Sequence, residues 1–190
     1  MEQNHKEQLQ LITEMIANTK VRISEGSVFY LLWGWLVVLA AAVNYYLLQY
    51  TDTTQHWIVW PILMTLGGVF TGVISARKRK KVRVKTFVDR ALSYLWTAFV
   101  VSLLLVLIGM VKLGPQKVYP IIIILYGLGT FVSGGILKFK PLMIGAVASW
   151  LIGLYAFFVP FHVQLILISL AIIASYIIPG HLLAKSKAHV

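Results

Sequence analysis

Long uncharged stretches divide the chain into segments, which cover residues 26–51, 53–76, 91–111, 118–137 and 141–184. A helix needs about 20 apolar residues to cross roughly 30 Å of hydrocarbon, so each of the first four stretches predicts one membrane span. The fifth is long enough for two, and Pro160 in its middle opposes helix continuation. The pattern predicts six helices, at about 28–50, 57–76, 91–113, 118–137, 141–159 and 163–184.

Strands are the weaker interpretation, because runs such as 118–128 are apolar on every side and do not alternate. The predicted fold class is therefore an all-α polytopic membrane protein. Residues 1–27 form a polar segment before the first span, residues 28–184 the six-helix membrane domain and residues 185–190 a short tail. Within the first segment Leu9, Ile12 and Ile16 share one helical face, which predicts an amphipathic helix ending near Ser24 to Gly26.

Composition agrees with lipid as the solvent, since 59% of residues are hydrophobic and only 12% are charged. A water-soluble domain carries about a quarter charged residues, so a soluble enzyme is excluded. The chain has no cysteine, which excludes disulfides, thiolate metal sites and thiol nucleophiles. No cofactor is expected.

The basic residues predict an orientation for the spans. Fifteen of the 17 lie on one side of the predicted membrane domain, and only Lys112 and Lys117 lie on the other. Because cytoplasmic loops carry the excess of lysine and arginine, both termini are expected in the cytoplasm. The predicted location is the inner membrane of a bacterium.

The segment from Arg77 to Arg90 is the most basic part of the chain, with eight lysines and arginines. Such clusters attract anionic lipid head groups, and a soluble anionic ligand or an acidic protein is the alternative. Nucleic acid is excluded because a loop between two spans has little reach. A protein partner could also bind through residues 5–25. The predicted binding residues are Arg77, Lys78, Arg79, Lys80, Lys81, Arg83, Lys85, Lys138 and Lys140.

Small residues predict where helices pack closely and also indicate an internal repeat. Residues 66–72 match residues 128–134 at a constant offset of about 62, which favours three helical hairpins from spans 1–2, 3–4 and 5–6. A small residue at every fourth position lets two helix backbones approach, and a cavity or hinge for transport is the alternative use. The predicted packing residues are Gly68, Gly72, Gly145, Ser149 and Gly153.

Ionisable groups are missing from the middle of the predicted spans, where ion-coupled transporters usually need one. Asn44 and Ser133 are the polar residues that could line a cavity, with a structural role favoured for Asn44. His56 and His162 would face the same side, but no ligand spacing of a metal site is present, and none is predicted. No catalytic motif is present either.

Four segments in combination carry a resemblance: FYLLWGW at 29–35, RVKTFVDR at 83–90, FVSGGILKFKP at 131–141 and IPGHLL at 178–183. Through them the chain resembles a family of small, functionally uncharacterised bacterial integral membrane proteins, from about residue 8 to 184. The resemblance implies a six-helix protein of a bacterial inner membrane. It implies no activity and no functional residue.

The leading functional hypothesis is a non-enzymatic membrane component whose basic face binds anionic lipid or a protein partner. The rival is a small uniporter or exporter of an apolar solute, with a cavity between helical hairpins, and an enzyme acting on lipid is third. A transporter needs a polar path at mid-membrane, so solvent-connected volume near Asn44 or Ser133 would favour the rival.

Overall fold

The computed structural model describes residues 2–51, 53–79 and 87–185, with side chains from Gly26 onward except those of Lys78 and Arg79. Every regular element in these ranges is helical, which confirms the predicted all-α class. A 3-10 turn at His56–Ile58 precedes α2, and a π-helical turn at Ile173–Ile177 joins α6 to α7. The helices are α1 (Glu2–Tyr50), α2 (Val59–Arg79), α3 (Phe87–Leu113), α4 (Pro115–Leu137), α5 (Lys140–Ala156), α6 (Phe161–Ile172) and α7 (Ile178–Lys185).

Five helical segments are long and apolar enough to cross a membrane, namely Gly26–Tyr50, His56–Arg77, Phe87–Leu113, Pro115–Leu137 and Phe161–Lys185. The length and composition of these segments are consistent with a helical membrane protein. The helix α5 is apolar but has only 17 residues. At 1.5 Å per residue it is about 25 Å long, a little short of the hydrocarbon thickness. A sixth full span consequently remains a prediction.

The break expected at Ser24 to Gly26 is wrong, because α1 continues without interruption from Glu2 to Tyr50. A single glycine costs a helix only about 1 kcal/mol, and no proline follows to remove a backbone donor. Residues 2–27 therefore belong to the same helix as the first predicted span. The side chains that would form the amphipathic face lie outside the described residues.

Helix packing divides the described chain into a core and two outlying helices. The most extensive contact is between α4 and α5, while α1 lies along α6, the π turn and α7. Large aliphatic side chains such as Ile123, Leu142 and Ile168 are fully buried in this core. Of the most apolar stretch of each helix, 56% is buried in α4 but only 6% in α2 and in α3. The helices α2 and α3 therefore lie outside the core.

The helix interruption predicted at Pro160 is present, and the turn covers residues 157–160. The helix α5 ends at Ala156, and α6 begins at Phe161 directly after Pro160. A proline suits this place because its missing N–H is one that a helix start leaves unpaired.

The similarity between the second and fourth spans has a structural counterpart. A Cβ added to Gly67 on α2 would lie 3.4 Å from the Trp33 ring of α1, and one on Gly129 of α4 would lie 3.5 Å from the Trp96 ring of α3. Each tryptophan thus packs on the matching glycine of the following helix. In α5, Trp150 instead contacts Gly127 of α4. The threefold hairpin repeat therefore remains a prediction.

Candidate functional sites

One end of the bundle carries most of the described charge and is called the basic end here. It is the end where α2 stops, α3 starts, α4 turns into α5 and α7 stops. The exposed basic residues at this end are Arg77, Arg90, Lys138, Lys140 and Lys185. The side chains of the other predicted binding residues, which are Lys78, Arg79, Lys80, Lys81, Arg83 and Lys85, lie outside the described residues.

The turn between α4 and α5 fixes two of these lysines. Lys138 adopts the left-handed conformation (φ 52°, ψ 38°), and its N–H donates to the carbonyl oxygen of Gly135 at 3.2 Å. The N–H of Phe139 donates to the carbonyl oxygen of Gly134 at 2.8 Å, so the last carbonyls of α4 are paired by the turn itself. Because backbone N–H groups make these bonds, the side chains of Lys138 and Lys140 are not needed for them, and both are exposed. The turn therefore presents two cations two residues apart.

Acidic residues are scarce at the basic end. Asp89 is the one acidic residue among the described side chains, and it has an interaction partner. Basic side chains at this end therefore outnumber acidic ones five to one among those described, so the potential there is positive.

Five aromatic rings form a buried tyrosine cluster between four helical segments. Its members are Tyr30 of α1, Trp96 and Phe99 of α3, Tyr126 of α4 and Tyr176 of the π turn. Ring centroids are 5.2 Å apart for Trp96 and Phe99, 5.5 Å for Tyr126 and Tyr176, and 5.6 Å for Tyr30 and Tyr176. Edge-to-face pairs of this kind stabilise by about 0.5–1.5 kcal/mol each beyond area burial. The cluster packs α3 onto the core.

Ser133, predicted as a cavity residue, lies beside this cluster and is fully buried. The Tyr30 hydroxyl lies near it, but outside hydrogen-bond geometry, so Ser133 Oγ has no partner. The hydroxyl of Tyr176 is likewise buried without one. Ser133 is thus placed in packed aromatic surroundings.

Asn44, the other predicted cavity residue, is 1% exposed and forms the centre of a polar network at the opposite end. Its amide lies 2.8 Å from His56 Nδ1 and 2.8 Å from Trp60 Nε1. The Tyr119 hydroxyl of α4 also interacts with it. These four side chains, Asn44, His56, Trp60 and Tyr119, are called the asparagine network. The structural role favoured for Asn44 agrees with these contacts.

Gln164 is a buried polar residue that the sequence analysis missed. Its Nε2 donates to the carbonyl oxygens of Ala156 and Gln116, both at 2.9 Å, and lies 3.2 Å from that of Val159. Ala156 and Val159 belong to the turn between α5 and α6, whose carbonyls lack helical partners. A long amide four residues after Pro160 was the available signal, because a helix start places such a side chain next to the preceding turn.

The predicted packing glycines fall into two groups. In α5 these residues lie at close helix contacts: a Cβ on Gly145 would collide with the backbone oxygen of Ala174 in the π turn, and one on Gly153 would lie 2.8 Å from Ile124 Cγ1 of α4. Ser149 Oγ donates to the carbonyl oxygen of Ala171 on α6 at 3.1 Å. The helix α5 is thus packed closely against the π turn and α6 on one side and against α4 on another.

For Gly68 and Gly72 the predicted contact with another helix is not found, because both are exposed and nothing lies within 4 Å of a Cβ added to either. The helix α2 turns the neighbouring Gly67 toward α1 instead, where Leu36 and Trp33 fill the space. Small residues spaced four positions apart show that one face of a helix lacks large side chains, but they do not show that this face contacts a neighbouring helix.

An open groove of about 360 Å³ lies between the ends of α1 and α2 that are remote from the basic end. Its lining is mostly apolar, with Leu47, Ile58 and Ile62 among the contributors. Neither Asn44 nor Ser133 lines it. The groove therefore gives no support to a transport path through either residue.

Among the described residues, no group of three histidine or acidic side chains is placed to hold a metal ion. Comparisons of the chain with protein-family models, with curated proteins and with solved structures gave no match.

Proposed function

We propose that this chain is a non-enzymatic component of a bacterial inner membrane, and that its basic end binds anionic lipid head groups. The observation that carries the proposal is the exposure of Arg77, Arg90, Lys138 and Lys140 at one end of a helical bundle built for a membrane. At the opposite end the described chain offers only Lys112 and Lys117.

The position of these residues on helices suits a lipid ligand better than a soluble one. The exposed Arg77 lies in the last turn of α2, and the exposed Arg90 lies in the first turn of α3. These are the two helices with only 6% of their most apolar stretch buried. Lipid chains would surround such helices, so head groups would lie next to their basic ends. Each lysine or arginine near an anionic surface contributes about 1 kcal/mol.

The predicted orientation supports the same ligand. An excess of basic residues is typical of the cytoplasmic side, and the cytoplasmic leaflet carries the anionic lipids that attract such residues. We infer that both termini lie on this side, and that the basic segment 77–90 adds to the attraction.

Lipid retention through purification tests the proposal. Arg77, Arg90, Lys138 and Lys140 are replaced together by glutamine, and the protein is reconstituted with equal amounts of phosphatidylglycerol and phosphatidylcholine and then extracted. We expect the native protein to retain an excess of phosphatidylglycerol and the variant to lose that excess.

The matched control replaces Lys112 and Lys117 by glutamine, which removes positive charge from the opposite end only. It should retain phosphatidylglycerol like the native protein. Equal retention of phosphatidylglycerol by the native and the fourfold-substituted proteins would contradict the proposal. If an acidic protein instead purified in a stoichiometric amount with the native chain and was lost from the variant, the ligand of the basic end would be a protein and not lipid.

A further inference from the structure

The orientation of the Asn44 amide can be derived from its neighbours. If Nδ2 faces His56, it donates to His56 Nδ1 at 2.8 Å and to the His56 carbonyl oxygen at 3.2 Å, while Oδ1 accepts from Trp60 Nε1 at 2.8 Å. Every one of these contacts then joins a donor to an acceptor. This arrangement requires an imidazole whose Nδ1 carries no proton.

The reversed amide pairs differently. Oδ1 then lies 2.8 Å from His56 Nδ1, which is favourable only if Nδ1 carries a proton. The amide nitrogen would face the indole N–H of Trp60, and Oδ1 would face the His56 carbonyl oxygen, so a donor meets a donor and an acceptor meets an acceptor. Asn44 is 1% exposed, so water cannot readily compensate the mismatched groups.

The network also holds α2 to the core. The Trp60 ring lies 5.9 Å from that of Tyr119 on α4, edge to face, and Tyr119 lies 5.0 Å from Phe161 on α6. The His56 ring lies 6.4 Å from that of Phe161. Toward the basic end, Trp33 Nε1 of α1 donates to Thr71 Oγ1 of α2 at 3.1 Å. Two indole hydrogen bonds therefore join α2 to α1, one at Thr71 near the basic end and one at Trp60 near the other end.

We propose that protonation of His56 releases the end of α2 that carries Trp60 from the core, which makes the asparagine network a pH-sensitive latch. The sequence of events follows from the pairing. A second proton on the imidazole occupies Nδ1. If the Asn44 amide keeps its orientation, its Nδ2 hydrogens then face the Nδ1 proton of His56. If the amide reverses, Oδ1 accepts from His56 and the hydrogen bond to Trp60 Nε1 is lost. The first outcome repels His56, in the turn before α2, from Asn44, and the second loses the bond to Trp60, so both weaken the attachment of this end of α2. The half-buried position of His56 leaves it accessible to protons from solvent.

The sign of the pH dependence follows from proton counting. The latched state holds His56 with Nδ1 unprotonated and the released state does not, so the released state binds the proton more strongly. Acid therefore favours release. One proton is involved, so the ratio of released to latched protein changes by up to about tenfold per pH unit.

Few other ionisable groups surround His56. Tyr119 on α4 interacts with Asn44, and Tyr45 follows Asn44 on α1. His162 is next to Phe161 on α6, and Lys117 precedes Tyr119 by two residues on α4. The side chain of Asp52 lies outside the described residues. Of these groups, His162 is the other imidazole, so it provides the control.

Distance measurements between spin labels test the latch, because the chain has no cysteine and two can be introduced cleanly. Ile62 on α2 and Phe158 after α5 are exposed positions suited to labels. The labelled protein is placed in vesicles of phosphatidylcholine alone, so that binding of anionic lipid cannot contribute. We expect one narrow distance distribution at pH 8 and an added, broader component at pH 5.

Three variants identify the group responsible. His56→Gln should show no pH response, His162→Gln should respond like the native pair, and Asn44→Leu should show the broad component at both pH values. A native distribution that is unchanged between pH 8 and pH 5 would overturn the latch, as would a response that His162→Gln abolishes or that His56→Gln retains.

A second measurement holds even if His56→Gln does not fold. Nitrogen chemical shifts of His56 in the native protein, measured by solid-state NMR at pH 8, report which ring nitrogen carries the proton. We expect the proton on Nε2. A proton on Nδ1 at pH 8 would contradict the donor and acceptor pattern from which the latch is derived.

Discussion

The helices α5 and α2 both carry small residues four positions apart, yet they use them in opposite ways. Gly145, Ser149 and Gly153 lie against the core, whereas Gly68 and Gly72 face away from every described helix. In a membrane the second face meets lipid. The difference shows that α5 is held by its backbone fit, and that α2 depends on a few side-chain contacts with α1 and α4.

This contrast also bears on function. A helix surrounded by lipid would bring its ends among head groups, and the exposed Arg77 lies in the last turn of α2. Under the proposed function, the loosely packed α2 would thus carry one of the basic groups that meet lipid.

Gly145→Ala is expected to give the largest loss of stability. The added methyl group would collide with the backbone oxygen of Ala174, and backbone cannot move aside as a flexible side chain can. Overpacking of this kind costs about 1–3 kcal/mol, and we expect the upper part of that range. Thermal unfolding in detergent, with the yield of folded protein, measures it. An unchanged unfolding midpoint would mean that α5 does not pack as closely as described.

Gln164→Leu should come next, with a loss of about 2 kcal/mol. The substitution leaves the buried carbonyl oxygen of Ala156 without this donor, which costs about 1–3 kcal/mol, and it also removes the part-buried bond to the carbonyl oxygen of Gln116. Part of the loss is recovered because Gln164 Oε1 is itself unpartnered in the native protein. Gln49→Leu, at an exposed position of α1, is the matched control and should be neutral. Equal unfolding midpoints of the two variants would refute this role of Gln164.

Trp33→Phe tests the attachment of α2 near the basic end and should cost about 1 kcal/mol. Phenylalanine keeps most of the ring but loses the hydrogen bond to Thr71 Oγ1. A cost of about 1 kcal/mol is the typical contribution of one such bond to stability. Trp35→Phe, two residues away and 57% exposed, is the control. Hydrogen exchange should show faster exchange in α2 for the first variant only. If the exchange rate in α2 rose by the same amount in both variants, the effect would come from a general loosening of α1 and not from the lost bond to Thr71.

Gly72→Ala should have the smallest effect, within about 0.5 kcal/mol of the native protein, because the methyl group enters open space. Unfolding in the same detergent as for Gly145→Ala gives a direct comparison of the two helices. A loss above about 1 kcal/mol would show that a neighbour covers this face.

Much of the fold could be predicted from the sequence because lipid imposes a simple rule. Every backbone group must be paired within the segment, so long uncharged runs become helices, and five of the six predicted spans coincide closely with long apolar helical segments. The turn at Pro160 was predictable for the same reason. The continuous α1 was not, since the local preference of Ser24 to Gly26 is weaker than the gain from extending a helix already formed.

The candidate sites were harder to predict, because they depend on which helices meet. The exposure of Lys138 and Lys140 follows from their charge alone. The pairing of Asn44 with His56 and Trp60 joins α1 to α2 across a loop, and no spacing along one helix reveals it. The same holds for Gln164, whose partners lie in a turn and at the start of α4.

Selectivity for anionic lipid at the boundary of the native protein tests the central claim most directly. Spin-labelled phosphatidylglycerol and phosphatidylcholine are compared in the same membranes, and the motionally restricted fraction of each is measured at 0.1 M and 1 M salt. We predict a larger restricted fraction for phosphatidylglycerol at 0.1 M salt, and near equality at 1 M, where the Debye length falls from about 10 Å to about 3 Å. Equal restricted fractions of the two lipids at 0.1 M salt would contradict the claim that the basic end binds anionic head groups.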